Sequence, residues 1–168
     1  GAWALNVLGM NVTVPYKSAV MESLAEVDEL AAHIGAVNTL VRTQGGYKGY
    51  NTDMTGLYRA MRSEGIRIED EEMILLGAGG AARAVAYLCG AQKAGKVFML
   101  NRTLDKAQQV AKEVNAAFGR EVIVPMLLRD YRELPDRKFL VIQGTSVGLA
   151  PKEDDVVIED AAFYRKVH

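Results

Sequence analysis

The chain has 168 residues, 49% hydrophobic and 24% charged, a composition typical of one ordinary globular domain or two small ones. Twenty basic against twenty-one acidic residues leave a net charge of −1 with no long charge run, so neither nucleic acid nor a membrane surface is expected as a partner. No apolar stretch spans a bilayer, the first residues lack a signal-peptide pattern, and the single cysteine cannot form an internal disulfide, which favours a cytoplasmic protein.

The first predicted element is a half-buried strand. Met10, Val12 and Val14 alternate with polar residues, and the strand stops at Pro15, which has no N–H for a sheet. Residues 17–34 then carry apolar side chains at helical spacing and predict a helix.

A hairpin and a second helix are predicted next. Residues 36–51 read as two strands that turn at Gly45 and Gly46. Thr52-Asp53 offers a capping residue for a helix over 55–63 that closes near Gly65.

The pattern changes after Gly65. Four short, uniformly apolar runs follow, and a helical pattern lies between the first and second runs and another between the second and third. This alternation is typical of a parallel sheet covered on both faces. The runs are Met73–Leu76, Val97–Leu100, Val122–Val124 and Phe139–Ile142. The sequence therefore predicts an α/β protein in which residues 1–68 form one domain and residues 69–168 form a doubly wound, Rossmann-like nucleotide-binding domain.

A glycine-rich turn joins the first of these strands to the following helix. Gly77–Ala82 fits the pattern G-x-G-x-x-A, in which the first glycine permits a tight turn and the second lets the backbone approach a pyrophosphate. The small Ala82 lets the helix pack close to the strand, and the helix N-terminus favours an anion. The alternative is a glycine-rich turn that serves only the packing of the helix and binds no nucleotide.

The end of the second strand indicates which nucleotide is bound. An NAD site would place an acidic residue there to hold the ribose 2′-hydroxyl, whereas this strand ends in Asn101, Arg102 and Thr103, with Lys106 one turn later. A guanidinium at this point suits a 2′-phosphate, so NADP is favoured over NAD. An ordinary solvated arginine is the alternative.

The fourth strand runs into Thr145 and Ser146. These small hydroxyl residues end a strand at the same edge of the sheet, where they would line a cofactor groove or form a plain turn.

Six motifs, in order and spacing, resemble the shikimate dehydrogenase family over nearly the whole chain. They are NVTVPYK at 11–17, IGAVNTLV at 34–41, GYNTD at 49–53, GAGGAARA at 77–84, NRT at 101–103 and TSVG at 145–148. The resemblance implies NADP-dependent, reversible reduction of 3-dehydroshikimate to shikimate in aromatic amino-acid biosynthesis, with no metal. The alternatives are a quinate/shikimate dehydrogenase that uses NAD or NADP, and a non-catalytic nucleotide-binding module.

The resemblance also implies roles for individual residues. Lys17 and Asp53 would be the catalytic pair, and Thr13 and Asn38 would bind the substrate together with Asp53. A lysine near the reacting oxygen can stabilise the developing alkoxide and exchange a proton with it. The cofactor-binding residues would be Gly77, Ala78, Gly79, Gly80, Ala81, Asn101, Arg102, Thr103, Lys106, Thr145 and Ser146.

The chain departs from the family in length and in one motif. Members carry a strand–helix–strand segment upstream and further cofactor-domain segments downstream, and Gln143-Gly144 replaces the usual Asn-Ala. We therefore expect an internal fragment: residues 1–68 as part of a substrate-binding domain, and residues 69–168 as an incomplete NADP-binding domain. Such a fragment is expected to bind NADP weakly, to turn over shikimate poorly, and to associate through uncovered sheet edges.

Overall fold

A computed structural model describes residues 1–13 and 15–168, so the predicted strand residue Val14 lies outside the described residues. The chain divides into two compact units, Gly1–Ile66 and Arg67–His168. Within the described part of the chain, no helix is both long and apolar enough to cross a membrane.

The first unit contains a four-stranded sheet with the order β1-β3-β4-β2. The strands are β1 (Gly9–Asn11), β2 (Glu26–Val27), β3 (Thr39–Arg42) and β4 (Tyr47–Tyr50). The predicted hairpin is confirmed, because β3 and β4 pair antiparallel and the N–H of Thr43 donates to the carbonyl of Gly46 at 2.7 Å to close the turn. The strand predicted from Gly9 is confirmed only as far as Asn11.

The single helix predicted over 17–34 is wrong. The segment instead forms a 3-10 helix (Ala19–Ser23), then β2, and only then α1 (Glu29–Ile34). The backbone N–H groups of Ala25 and Asp28 donate to carbonyls of β4, at 3.0 and 2.9 Å, which holds this stretch extended. The Asp28 carboxylate then caps α1 by accepting from the N–H of Ala31 at 3.4 Å.

The helix predicted over 55–63 is confirmed and begins two residues earlier, as α2 (Asp53–Ser63). Thr52 holds the N-cap position, as predicted, but its side chain makes no capping hydrogen bond. The side chain of Asn51 accepts from the N–H of Asp53 at 3.1 Å instead, because the Thr52 hydroxyl is bonded elsewhere.

The second unit is a parallel sheet with the order β7-β6-β5-β8, as the four apolar runs predicted. The strands are β5 (Glu72–Leu76), β6 (Lys96–Asn101), β7 (Ile123–Leu127) and β8 (Leu140–Gln143). The third strand continues beyond the predicted 122–124, through Pro125. A proline is tolerated there because β7 lies at the edge of the sheet.

Helices α3 (Gly80–Ala91) and α4 (Leu104–Phe118) follow β5 and β6, and α5 (Ala161–Tyr164) lies near the end of the chain. Ala82 of α3 is fully buried, and a Cβ added to Gly144 would lie 2.8 Å from its Cα. This contact confirms that small residues bring the helix close to the strand ends. An apolar cluster completes the core, formed by Ile74, Leu76, Leu100, Leu134, Phe139, Ile158 and Phe163. The strand order is that of one half of a Rossmann-like fold.

Candidate functional site

The sheet of the first unit brings Lys17, Asn38 and Asp53 together. The carbonyl of Lys17 accepts from the N–H of Val37 at 2.9 Å, which ties the lysine to the residue before Asn38. The N–H of Asn38 donates to the carbonyl of Tyr50 at 2.9 Å, three residues before Asp53 opens α2. Backbone pairing alone therefore fixes where these three side chains begin.

The side chains converge on the Asp53 carboxylate. Lys17 Nζ donates to Oδ2 and Asn38 Nδ2 donates to Oδ1, each at 2.8 Å. The N-terminus of α2 also favours a negative charge at this position. The Lys17 and Asp53 side chains are 28% and 52% exposed, so their ion pair contributes at most about 1 kcal/mol to stability. The arrangement is a half-buried lysine held beside a carboxylate, which suits proton exchange with a ligand oxygen.

Asn38 is buried, and its side-chain oxygen is surrounded by donors. It accepts from the Thr39 hydroxyl at 3.0 Å, the Thr52 N–H at 3.0 Å and the Thr52 hydroxyl at 3.1 Å. Neither threonine was predicted as a site residue. The signal in the sequence is the repeated Asn-Thr pair, at 38–39 and 51–52.

The second asparagine of that repeat has a structural role. Asn51 Nδ2 donates to the carbonyl of Ala36 at 3.1 Å, and its oxygen accepts from the N–H of Asp53. It thus ties the start of α2 to the residues before β3.

Thr13, the other predicted substrate residue, lies exposed in the loop after β1. Its carbonyl accepts from the N–H of Tyr16 at 2.9 Å, and the preceding Val12 N–H donates to the carbonyl of Asn38 at 2.8 Å. The loop that leads to Lys17 is therefore anchored on Asn38.

In the second unit, a cavity of about 910 Å³ opens where β5, β6 and β8 end at their carboxyl termini. Ligands bind at this edge in open α/β sheets. All but one of the predicted cofactor residues line it: Gly77, Ala78, Gly79, Gly80, Ala81, Asn101, Arg102, Lys106, Thr145 and Ser146. The remaining residue, Thr103, lies at the N-terminus of α4, where its carbonyl accepts from Asn101 Nδ2 at 2.8 Å.

Two glycines of the turn differ in what surrounds them. Gly77 has φ +104°, and an added Cβ would lie 2.8 Å from Thr145 Cγ2. An added Cβ at Gly79 would have no atom within 4 Å and would extend into open space at the cavity wall. Gly77 is therefore required by the fold, whereas Gly79 leaves room of the kind that a bound pyrophosphate needs.

The cavity carries charges of both signs. Arg102 and Lys106 face it from the β6 side, and Asp154, Asp155 and Glu159 line it as well. The sequence analysis missed the three carboxylates because the segment after β8 has no periodic pattern.

The described residues present neither a metal-ligand cluster nor a reactive thiol. No group of three or more His, Cys, Asp or Glu side chains in the described part of the chain is placed to hold a metal ion. Burial raises the pKa of the Cys89 thiol to about 12, so it stays protonated and is a poor nucleophile at neutral pH.

Comparison with protein families gives two matches. A model described as the shikimate dehydrogenase substrate binding domain matches residues 1–40, and one described as shikimate / quinate 5-dehydrogenase matches residues 59–146, more than half of the chain. A curated relative from Halothermothrix orenii, named shikimate dehydrogenase (NADP(+)), is 38% identical over 166 residues, which cover 96% of this chain and 57% of the relative.

Solved structures give the same picture. Quinate dehydrogenase from Corynebacterium glutamicum in complex with NAD superposes with a TM-score of 0.81 at 32% identity, covering 96% of this chain and 57% of that one. A shikimate dehydrogenase in complex with NADP+ gives a TM-score of 0.77 at 35% identity, covering 94% and 55%. The chain thus spans a little over half the length of the relatives it matches.

Proposed function

The chain belongs to the shikimate dehydrogenase family, and from this premise we propose that it serves the NADP-dependent, reversible reduction of 3-dehydroshikimate to shikimate in aromatic amino-acid biosynthesis. The proposal assigns substrate binding to residues 1–68 and NADP binding to residues 69–168. The observation that carries it is the contact of Lys17 and Asn38 with the two oxygens of Asp53.

The three side chains divide the chemistry of a ketone reduction. When NADPH is bound, it supplies the hydride that reaches the carbonyl carbon. Lys17 gives a proton to the oxygen as its charge develops, and takes that proton back in the reverse direction. Asp53 accepts hydrogen bonds on both oxygens, so it acts as a carboxylate that orients the Lys17 ammonium.

The cavity of the second unit fits NADP. Gly77–Ala81 and the N-terminus of α3 would hold the pyrophosphate, in the space left open at Gly79. Asn101, Arg102, Thr103 and Lys106 would hold the adenosine 2′-phosphate, and Thr145 and Ser146 would line the groove. Thr13 and Asn38 would bind hydroxyl groups of the substrate.

A second candidate is a quinate/shikimate dehydrogenase that uses NAD. Asp154, Asp155 and Glu159 favour it, because carboxylates in the cavity suit ribose hydroxyls better than a phosphate. The likeness to an NAD-bound quinate dehydrogenase supports it as well. Arg102 and Lys106 in the same cavity leave NADP as our first choice.

The catalytic proposal is tested by Lys17→Ala in the full-length gene product. We expect kcat for shikimate oxidation, followed by NADPH absorbance, to fall about 10²- to 10⁴-fold, because the proton carrier is removed. NADP affinity, measured by calorimetry, should stay unchanged. Lys112→Ala removes an exposed lysine of α4 and serves as the matched control. Full activity in Lys17→Ala would instead support a non-catalytic nucleotide-binding module.

The choice of nucleotide is tested by Arg102→Ala. Loss of a charged hydrogen bond to the 2′-phosphate should lower the NADP-to-NAD ratio of kcat/KM by roughly 10- to 100-fold. Arg59→Ala, an exposed arginine of α2, is the control. A ratio that does not change in Arg102→Ala would favour the NAD reading.

We further propose that the 168-residue chain alone binds NADP weakly, turns over shikimate poorly and associates through sheet edges in a cytoplasmic setting. The apolar side chain of Leu8, 79% exposed and directly before the edge strand β1, supports association. Sedimentation velocity over a range of concentrations tests the association. NADPH formation at the rate of a full-length family member would contradict the expected loss of turnover.

A further inference from the structure

The side-chain amide of Asn38 has one possible orientation. A backbone N–H only donates, so the atom that Thr52 N–H reaches must be the oxygen. An ionised carboxylate only accepts, so the atom that faces Asp53 Oδ1 must be the nitrogen. The two contacts independently require the same assignment.

Three donors on one oxygen leave Asn38 with a single function toward a ligand. A carbonyl oxygen offers two lone pairs, and here it meets the Thr52 N–H and two hydroxyl groups. One hydrogen of Nδ2 is bonded to Asp53, and no acceptor among residues 1–13 and 15–168 takes the other. Asn38 can therefore donate to a ligand atom, but its oxygen has no capacity left to accept from one.

We propose that Thr39 is a positioning residue of the active site. Its hydroxyl, 3.0 Å from Asn38 Oδ1, holds the amide so that Nδ2 stays directed at Asp53, and Asp53 in turn stays aligned with Lys17. The inference rests on the proposed function and assigns to Thr39 an effect on the reaction through Asn38 rather than through contact with substrate.

The place of Thr39 in the fold suits this role. It is the first residue of β3 and is in register with Tyr50, the last residue of β4, so its backbone is fixed by the antiparallel pair. The strand side chain is β-branched and stiff at χ1, which keeps the hydroxyl in one direction.

The test compares Thr39→Val, which keeps the shape and removes the hydroxyl, with Thr39→Ser, which keeps the hydroxyl. In the ¹⁵N-labelled chain, Thr39→Val should shift and broaden the Asn38 side-chain amide signals, and Thr39→Ser should leave them close to wild type. In the full-length gene product, Thr39→Val should lower kcat by about 2- to 10-fold, the value of one neutral hydrogen bond, with KM for NADP unchanged. Thr55→Val, at an exposed threonine of α2, is the control.

Two results would overturn the proposal. One is an unchanged Asn38 amide spectrum and kcat in Thr39→Val. The other is a Thr39→Ser variant as impaired as Thr39→Val, because packing and not the hydroxyl would then be responsible. The unmodified chain gives a further check if Thr39→Val fails to fold, since rapid rotation of the Asn38 amide would contradict a held orientation.

The proposed function and the role of Thr39 are refuted by different results. A full-length gene product that does not turn over shikimate refutes the proposed function. The Asn38 amide signals need no turnover, so they still decide whether Thr39 holds the amide.

Discussion

At the scale of single residues, the structure separates positions that the fold needs from positions that a ligand needs. The exposed Lys17–Asp53 pair adds little to stability, and Gly79 leaves open space at a cavity wall. Gly77, two residues away, is constrained by its positive φ and by the close approach of Thr145 and Gly144. Such differences decide which substitutions inform about function and which only unfold the protein.

The two glycines give the first prediction. Gly77→Ala should lower the free energy of unfolding by about 1 to 3 kcal/mol, because alanine is strained at φ +104° and its Cβ meets Thr145. Gly79→Ala should cost about 1 kcal/mol or less, the loss of a glycine cap, yet weaken NADP binding at least about 10-fold by filling the open space. Urea unfolding and calorimetry measure the two effects. Unimpaired binding in Gly79→Ala would place the pyrophosphate elsewhere.

At the scale of elements, Asn115 fastens α4 to β7. Its oxygen accepts from the N–H groups of Val122 and Ile123 at 2.9 and 2.8 Å, and its nitrogen donates to the carbonyl of Ile123 at 2.9 Å. The Asn115 side chain thus makes hydrogen bonds of the kind that a neighbouring strand would make to the start of β7.

Asn115→Ala should therefore destabilise the second unit by about 2 to 4 kcal/mol, since it removes the partner of the Ile123 N–H and carbonyl and one of the two acceptors of the Val122 N–H. Thermal unfolding measures the loss. Gln109→Ala on the same helix, which removes an exposed amide bonded to Glu113, should change stability by less than about 0.5 kcal/mol. Equal losses in the two variants would contradict the fastening role.

A second polar link joins the 3-10 helix Leu128–Glu133 to the start of α5. The Tyr131 hydroxyl donates to Asp160, with the Ala162 N–H and Arg132 adding further hydrogen bonds, and together they hold the pKa of Asp160 well below its usual range. A depressed pKa in the folded state stabilises the protein above the ordinary aspartate value, and this stabilisation is lost as the pH falls.

The stability of the chain should accordingly decline as the pH falls below about 4, the ordinary value for aspartate. Asp160→Asn and Tyr131→Phe should both flatten this decline relative to wild type, measured as the unfolding midpoint against pH. Asp130→Asn serves as the control, with a decline like that of wild type. A steep acid loss retained in Asp160→Asn would place its cause at other carboxylates.

The elements of the second unit were predictable because buried parallel strands read as uniform apolar runs and the helices between them keep a clear period. The helix prediction for residues 17–34 was wrong because the same apolar spacing is compatible with a 3-10 helix, a short strand and a short α-helix in succession. The deciding contacts, from Ala25 and Asp28 to β4, are backbone bonds to a strand some 20 residues away. No local pattern carries that information.

The candidate site was predictable to a similar extent. The resemblance named Lys17, Asn38 and Asp53, and the structure puts them in contact. The bonds to Asn38 from Thr39 and Thr52 depend on the exact register of β3 and β4, and the carboxylates at 154, 155 and 159 reach the cavity from an irregular segment. Such placements depend on tertiary structure and leave no local pattern in the sequence.

At the scale of the whole molecule, each unit contains one natural probe. The single tryptophan, Trp3, lies in the first unit with the Arg42 guanidinium 3.7 Å from its ring centroid, and the single cysteine, Cys89, is buried in the second. Fluorescence therefore follows one unit, and thiol labelling follows the other.

We expect the Trp3 signal to change at a lower denaturant concentration than Cys89 becomes reactive. Among the described residues, the buried cluster of the first unit is Ala31, Val37 and Leu40, smaller than that of the second unit, and small units bury a smaller share of their surface. Equilibrium urea titrations read by both probes test this. Coincident midpoints would show instead that the chain unfolds as one cooperative body.

Pro125 in β7 makes the two edges of the second sheet unequal in their ability to accept a further strand. A further strand added beside β7 would meet a gap in the row of donors at Pro125, and the outer strands of the other sheet, β1 and β2, have three and two residues. The β8 side offers the unbroken run Leu140–Gln143, and Val167 bridges only the residue before it, Phe139, so β8 is the more receptive edge of this sheet. Edge pairing of this chain should therefore stop at two copies joined through β8, and a lysine or proline introduced into β8 is the change most suited to prevent it.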